Sequence, residues 1–274
     1  MKFLIITADK RQVYMTERLR ENGFDCTFYK PSLTLSDNER QFDAVVFALP
    51  SVKFSRVNCE YDVRPESILT LIKKGGYVFS AVTDDSFIKS VEEAELKNFD
   101  YYSREELVIE NAYLTAEGVL ELVLVNSEVT LQNLKILVTG YGKTGEAIAD
   151  VLSRNFASVT VAARKEKDRA RVRCRNMKGI SFSEIKTYAK NFDFVINTVP
   201  TEVIGRNLLC EFLEDCIFFE IASKPYGIDI SSAEKQNKKV IIASSLPGKY
   251  VPRSAGVFIA DTITNIVKEE GIND

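Results

Sequence analysis

A short apolar run, Leu134-Lys-Ile-Leu-Val-Thr, enters the glycine-spaced turn Gly140-Tyr-Gly142-Lys-Thr-Gly145. An apolar-faced segment carrying Ala147, Ile148, Val151 and Leu152 leaves it. Strand, turn and helix in that order constrain the chain to a βαβ-type parallel arrangement. The same context separates a dinucleotide fingerprint from a chance G-x-G-x-x-G. In that fingerprint Gly140 permits the tight turn, Gly142 lets the backbone come close to a pyrophosphate, and Gly145 lets helix and strand pack closely. The helix N-terminus offers N–H groups and a positive dipole end to phosphates. Gly140, Tyr141, Gly142, Lys143, Thr144 and Gly145 are therefore the first candidate cofactor residues. The alternative is a glycine-rich turn that binds nothing.

The rest of the chain agrees with an α/β reading. At 274 residues there is room for about two domains. An apolar share of 45% with 27% charged residues is ordinary for a globular protein. The net charge of −3 and the scattered Lys and Arg provide no basic face for nucleic acid. The apolar runs are strand-sized or broken by charge, so no membrane span is expected. Asp9, Lys10 and Arg11 interrupt the N-terminal apolar run too early for a signal peptide. Five cysteines without a C-x-x-C fit a reducing cytoplasm and argue against a disulfide framework or a metal site. Histidine is absent, which removes His-based triads and the His proton relay; acid–base work falls to carboxylates, Lys, Tyr, Cys, Ser or water.

The periodicity predicts two Rossmann-like doubly wound parallel-sheet domains joined by a long helix. Residues 1–103 form the first, with strands Lys2–Thr7, Phe24–Tyr29, Asp43–Leu49 and Tyr77–Val82, and helices Arg11–Glu21 and Arg64–Lys74, the latter stopped by Gly75-Gly76. Ser51–Val63 reads as an irregular, cleft-facing loop. Residues 104–126 form the connecting helix, apolar over much of its surface. Residues 127–253 form the nucleotide-binding domain, with further strands Ser158–Ala163, Phe192–Thr198, Cys216–Ile221 and Lys239–Ala243. Residues 254–274 form a last helix packing back toward the first domain.

The second strand of such a domain normally ends in Asp or Glu, which holds the ribose 2′-OH of NAD. Here it ends Ala163-Arg164-Lys165, with cations in place of a carboxylate. Arg164 can form charge-assisted bonds to a 2′-phosphate, so NADP is expected, with NAD as the alternative and simple stacking of Arg164 on adenine as another. Thr198, Val199 and Pro200 end the strand expected beside the nicotinamide. Two later loops follow strand ends: Glu220–Gly227, with Ala222, Ser223 and Lys224, and Ser245–Gly256, with Pro247, Gly248, Lys249 and Arg253. Their cations can clamp carboxylates, or be ordinary solvated surface residues. Arg11, at the end of the first strand, is a further carboxylate-binding candidate. Glu117, in Tyr113-Leu-Thr115-Ala-Glu-Gly118, is either a general base at the cleft or an ion-paired helix-face residue.

The ordered series Thr7-Ala-Asp-Lys-Arg-Gln12, Leu114-Thr-Ala-Glu-Gly118, Gly140–Gly145, Ala163-Arg-Lys165, Ile196-Asn-Thr-Val-Pro200, Ala222-Ser-Lys-Pro225 and Leu246-Pro-Gly-Lys249 followed by Ala255-Gly256 resembles the A-subunit family of dipicolinate synthase from endospore-forming bacteria. The resemblance implies oxidation of a dihydrodipicolinate-type dicarboxylate to pyridine-2,6-dicarboxylate during sporulation, with NAD(P)⁺ accepting hydride. It also implies the two-domain layout of hydroxyacid dehydrogenases, with the active site in the cleft between the domains, and a second, flavoprotein-like B subunit. Under it Glu117, Lys224 and Lys249 are the candidate catalytic residues. Arg11, Thr115, Ser223 and Arg253 are candidates for the dicarboxylate, and Ala222, Ser223, Pro247 and Gly248 join the cofactor set. Two other readings stay open: a dehydrogenase of another carbonyl, imine or 2-hydroxy acid, and a protein that senses NADP(H) without turnover. The sequence also leaves a homo-oligomer open.

Overall fold

Near-continuous apolar runs such as Phe3-Leu-Ile-Ile6 and Ile136-Leu-Val138 suit strands buried on both faces, the situation of a parallel sheet covered by helices. The computed structural model describes residues 1–31, 42–53 and 55–272. It divides into two units, 1–110 with 250–274, and 111–249.

The first unit contains β1 (Lys2–Ile5), β2 (Asp25–Phe28), β3 (Phe42–Val46), a small antiparallel ribbon β4 (Val52–Lys53) and β5 (Arg56–Val57), then β6 (Ile72–Ser80) and β7 (Lys97–Asp100). Its sheet runs β2-β1-β3-β6-β7, all parallel. Alternate residues feed opposite faces. Phe3, Ile5, Val46 and Phe79 pack with Met15 and Leu19 of the helix Lys10–Glu21 and with Ile259 and Ile263 of the helix Pro252–Glu269. Leu4, Val45 and Val78 pack the other way, with Ile68 and Phe87. The two helices are also tied by Arg18 Nε to Asp261 Oδ1 at 2.7 Å and by Asn22 Nδ2 to Thr264 Oγ1 at 2.9 Å.

Two expectations change here. The segment Arg64–Lys74 is not one helix: a helix covers Pro65–Leu69, and β6 begins at Ile72 and runs through Gly75-Gly76. Pairing with β3 skips from Phe42↔Ile72 to Ala44↔Tyr77, so the extra residues form a bulge. A side chain on Gly76 would meet the Asp43 carbonyl at 2.7 Å, which explains a glycine inside a strand. The stretch Ser51–Val63, expected to be irregular, contains the β4–β5 ribbon; Phe54 lies outside the described residues.

The second unit contains β8 (Lys135–Thr139), β9 (Ser158–Ala162), β10 (Lys178–Ile180), β11 (Phe194–Asn197), β12 (Ile217–Glu220) and β13 (Lys239–Ile242). They form one parallel sheet in the order β10-β9-β8-β11-β12-β13, the doubly wound dinucleotide-binding topology. One face buries Ile136, Val138, Val161, Ile196 and Phe219 against Ile148 and Leu152 of the helix Lys143–Arg154, and against Ala116, Val119 and Val123 of the long helix Glu105–Val125. The other buries Leu137, Val195 and Phe218 under Ile185, Leu209 and Ala233. The long helix is shared: residues 105–110 count with the first unit and 111–125 with the second. Among the described residues no helix is long and apolar enough to cross a membrane.

Candidate functional site

In the second unit the strand order reverses between β8 and β11, and open α/β sheets bind ligands at such a switch point, outside the strand C-termini. A cleft of about 660 Å³ opens there. Its floor is the glycine turn. Gly140 has φ +92°, and a side chain on it would meet Thr198 Oγ1 at 2.6 Å. A side chain on Gly145 would run into the Gly140 carbonyl, so helix and turn touch backbone to backbone. Gly142, by contrast, faces open space, with nothing within 4 Å of a Cβ built on it. Gly142 is also the N-cap of the helix Lys143–Arg154, and no side chain caps that helix. Uncapped N–H groups, a positive dipole end and vacant space in front of them fit a pyrophosphate. The acid of the first turn, Glu146, is bonded by Arg171 and Arg175, each at 2.8 Å, so it brings little net negative charge to the turn.

The side of the cleft at the end of β9 is cationic. Arg164, Lys165 and Lys167 line it and are exposed, and their side chains make no ion pair or hydrogen bond among the described residues. The nearest acid in sequence, Glu166, is held by Arg169 and by Arg173, whose Nη2 lies 2.7 Å from Glu166 Oε1; these guanidinium groups keep its carboxyl below the usual range. Arg169 Nη1 also donates to the Ala163 and Arg164 carbonyls at 2.7 and 2.9 Å, fixing the backbone that presents Arg164.

On the other side, three strand ends are laced together. Thr198 Oγ1 donates to the Thr139 carbonyl at 2.7 Å, and Thr139 Oγ1 donates to Asn197 Oδ1 at 2.6 Å. Asn197 Nδ2 donates to Glu220 Oε1 at 2.7 Å. Glu220 also accepts from the backbone N–H groups of Ala222, Gly227 and Ile228 at 2.9–3.0 Å. Burial pushes the Glu220 carboxyl above its ordinary pKa; the hydrogen bonds from Asn197 and the three backbone N–H groups act the other way.

The glycine turn, Ala163–Lys165 and Thr198–Pro200 thus meet in one cleft, while Ala222, Ser223, Pro247 and Gly248 do not line it. Tyr141 contributes backbone: its ring is buried in the apolar core, with the Arg171 guanidinium 5.5 Å from the ring centroid. Lys167, Asp168, Phe182, Thr201 and Val203 also line the cleft, and the sequence motifs do not single them out. Phe182 follows β10, a three-residue strand containing Gly179 that leaves almost no periodic signal.

Lys224 and Lys249 are exposed, and neither makes an ion pair among the described residues; Lys224 Nζ lies 6.0 Å from the Tyr226 ring centroid. Pro247 and Gly248 sit in a short helix, Leu246–Tyr250, and the last helix starts at Pro252, where a loop was expected. Glu117 is exposed and has no side-chain partner among the described residues. Thr115 is buried and gives its hydroxyl to the Asn111 carbonyl at 2.8 Å. In the first unit Arg253 is exposed, whereas Arg11 is buried. The Arg11 Nε and Nη2 atoms bind the Asp9 carboxylate at 2.7–3.1 Å, and Nη2 also binds the Leu49 carbonyl at 3.0 Å.

Residues 122–242 match the family model for shikimate / quinate 5-dehydrogenase. The chain is 28% identical over 192 residues to the dipicolinate synthase A subunit of Bacillus subtilis (strain 168), a match covering 70% of this chain and 65% of that one. Among solved structures, the dipicolinate synthase A subunit from Bacillus halodurans superposes with a TM-score of 0.87 at 22% identity, covering 97% of each chain. An NAD-complexed D-isomer specific 2-hydroxyacid dehydrogenase of Lactobacillus delbrueckii ssp. bulgaricus has the same fold at a TM-score of 0.59 and 13% identity, covering 99% of this chain and 98% of that one. The resemblance to the dipicolinate synthase A subunit therefore stands on sequence and on fold. The solved structures thus share the fold, and the family-model match places a dehydrogenase-type sequence pattern over most of the second unit.

Proposed function

We propose that this protein is an NADP-dependent dehydrogenase that oxidises a dihydrodipicolinate-type cyclic diacid to its pyridine dicarboxylate, in the cytoplasm of a sporulating cell. The observation that carries the reading is the pairing of an uncapped helix N-terminus with three cations at the end of β9, Arg164, Lys165 and Lys167, that have no partner among the described residues. The first suits a diphosphate. The second suits a 2′-phosphate, and the one acid that directly follows Lys165 is already neutralised by Arg169 and Arg173. The five cysteines are free thiols, as a reducing compartment favours.

A bound nicotinamide would supply the two-electron acceptor. The substrate loses one ring hydrogen with its electron pair and a second as a proton, and the remaining electrons complete an aromatic ring. Aromatisation drives the reaction, so the chain has mainly to orient the diacid and accept a proton. Lys224 and Lys249, exposed and without acidic partners among the described residues, are the proposed carboxylate anchors of the second unit, and Ser223, next to Lys224 in the chain, a hydroxyl donor. Glu117 or water takes the proton, which a histidine-free chain permits. Holding the reactants in an attacking geometry can by itself lower the barrier by several kcal/mol, up to about 7–11 in the best intramolecular cases.

The relative in Bacillus subtilis is named as one subunit of a synthase, so the assay is run with and without a flavoprotein-like second subunit. Freshly prepared dihydrodipicolinate is mixed with the protein and NADP⁺ or NAD⁺, and formation of the pyridine dicarboxylate is followed by its absorbance. Product formed faster with NADP⁺ supports the proposal. Nucleotide binding without turnover of any diacid in either assay overturns it in favour of a sensor.

A further inference from the structure

Among the described residues the buried acids are Asp150 and Glu220. Asp150 is answered by Arg154, with Nε 3.1 Å away. Glu220 is the deeper of the two, 1% exposed, and no cation pairs with it. Its two oxygens instead receive four N–H groups: Asn197 Nδ2 and the Ala222 amide on Oε1, the Gly227 and Ile228 amides on Oε2. None of these partners can accept a hydrogen bond from a protonated carboxyl. Burial raises the carboxyl's pKa, but a protonated carboxyl ringed by four donors would leave its own O–H unbonded, so the cage holds a carboxylate. The result is a buried negative charge with no counter-ion among the described residues.

Its place in the sheet gives it a use. The glycine turn leaves β8, and the cationic adenosine side lies at the end of β9. A dinucleotide lying across the switch point puts its other half over β11 and β12. Glu220 ends β12 and pairs in register with Asn197, the residue immediately before Thr198-Val199-Pro200. It therefore lies about one strand spacing, roughly 4.8 Å, from the strand whose end lines the cleft. The two forms of the cofactor differ there in one respect that a buried anion can read: the oxidised nicotinamide ring is positively charged and the reduced ring is neutral.

We infer that Glu220 acts as a fixed buried anion that makes the nicotinamide half of the cleft prefer the oxidised, cationic ring over the reduced, neutral one. This rests on the nucleotide reading given above. It makes the site a better acceptor of NADP⁺ than of NADPH, the direction suited to an enzyme that must release its reduced nucleotide. A carboxylate that only braced the loops around it would strengthen the binding of both forms alike.

Calorimetry with NADP⁺ and NADPH, and with NAD⁺ and NADH, measures the preference directly. Wild-type protein is expected to bind the oxidised form of its preferred pair more tightly. Glu220→Gln is expected to shrink the oxidised-to-reduced affinity ratio on the order of tenfold, the effect of a unit charge at roughly 10 Å in a protein site. Glu220→Asp, which keeps the charge, should keep the sense of the ratio even where both affinities fall. A wild-type ratio of one or below overturns the inference and needs no variant to fold. An unchanged ratio in a folded Glu220→Gln protein overturns it as well. If neither pair binds the wild type at all, the nucleotide reading fails and takes this inference with it; binding without preference sinks the inference alone.

Discussion

The chain builds two strand-to-helix turns at the same topological position, one in each sheet, and uses them oppositely. In the first unit the turn after β1 closes on itself. Asp9 caps the helix Lys10–Glu21, accepting from the Arg11 amide at 2.9 Å, while Gln12 Oε1 reaches back to the Ala8 and Asp9 amides at 3.0 and 2.8 Å. Arg11 then folds over the Asp9 carboxylate. The helix end already holds an anion, and it comes from its own chain. In the second unit the corresponding cap is Gly142, with no side chain to offer and open space ahead of it. One fold thus produces a sealed turn or a receptive one, depending on whether the N-cap residue carries its own carboxylate.

Converting the receptive turn into a sealed one should have the largest effect. Gly142 has φ −79° and ψ −173°, a conformation open to any residue, so Gly142→Asp should fold with an unchanged or slightly higher Tm. Its carboxylate would stand where the phosphates belong. Nucleotide affinity measured by calorimetry should fall by at least about a hundredfold. The reverse experiment opens the sealed turn. Asp9→Ala removes the cap and leaves Arg11 without its counter-ion, a loss of about 2 kcal/mol in urea-unfolding stability, with nucleotide affinity unaltered.

A finer cut separates the two ends of the receptive cleft. Arg164→Ala should lower NADP⁺ affinity about tenfold and leave NAD⁺ binding as it was. Equal losses for both nucleotides would assign Arg164 to adenine stacking instead. The smallest effect is electrostatic. Burial pushes the Asp9 carboxyl up, but the Arg11 hydrogen bonds and charge outweigh this and hold it below its ordinary pKa. A carboxyl lowered in the folded state stabilises above its unfolded pKa, about 4, and that stability disappears as pH falls through the folded value. Asp9→Asn keeps a good N-cap without the charge. The wild-type-minus-variant difference in stability, under about 1 kcal/mol because Asp9 is half-exposed, should vanish in acid below the range of the folded carboxyl.

The receptive turn was legible in sequence because every part of its signal is local: an apolar strand, three glycines at fixed spacing and an apolar-faced helix within about twenty residues. The alternation of strands and helices in both units was legible for the same reason. The helix expected over Arg64–Lys74 was a misreading of Ile68, Leu69, Leu71 and Ile72, whose spacing suits a helix face but is divided here between a short helix and β6. Gly75-Gly76 punctuates a helix in the sequence; in the fold it serves a bulge set by the neighbouring β3, which no local pattern announces. Arg11 reads as a free cation near a strand end until Asp9 and the distant Leu49 carbonyl are seen to hold it. Glu220 had no visible role, because its principal side-chain partner, Asn197, lies on another strand. Side-chain pairings of that kind follow from tertiary contact alone.

The first unit's apolar face is completed by Ile259, Ala260, Ile263, Ile266 and Val267, which come after the whole second unit in the chain. The second unit's sheet is thus built from one continuous stretch of chain, while the sheet begun earlier takes one flank from residues made last. Trimming the chain before residue 252 would leave the earlier-made module without a partner for its Lys10–Glu21 helix, so a cut near one end would be felt by residues translated at the other.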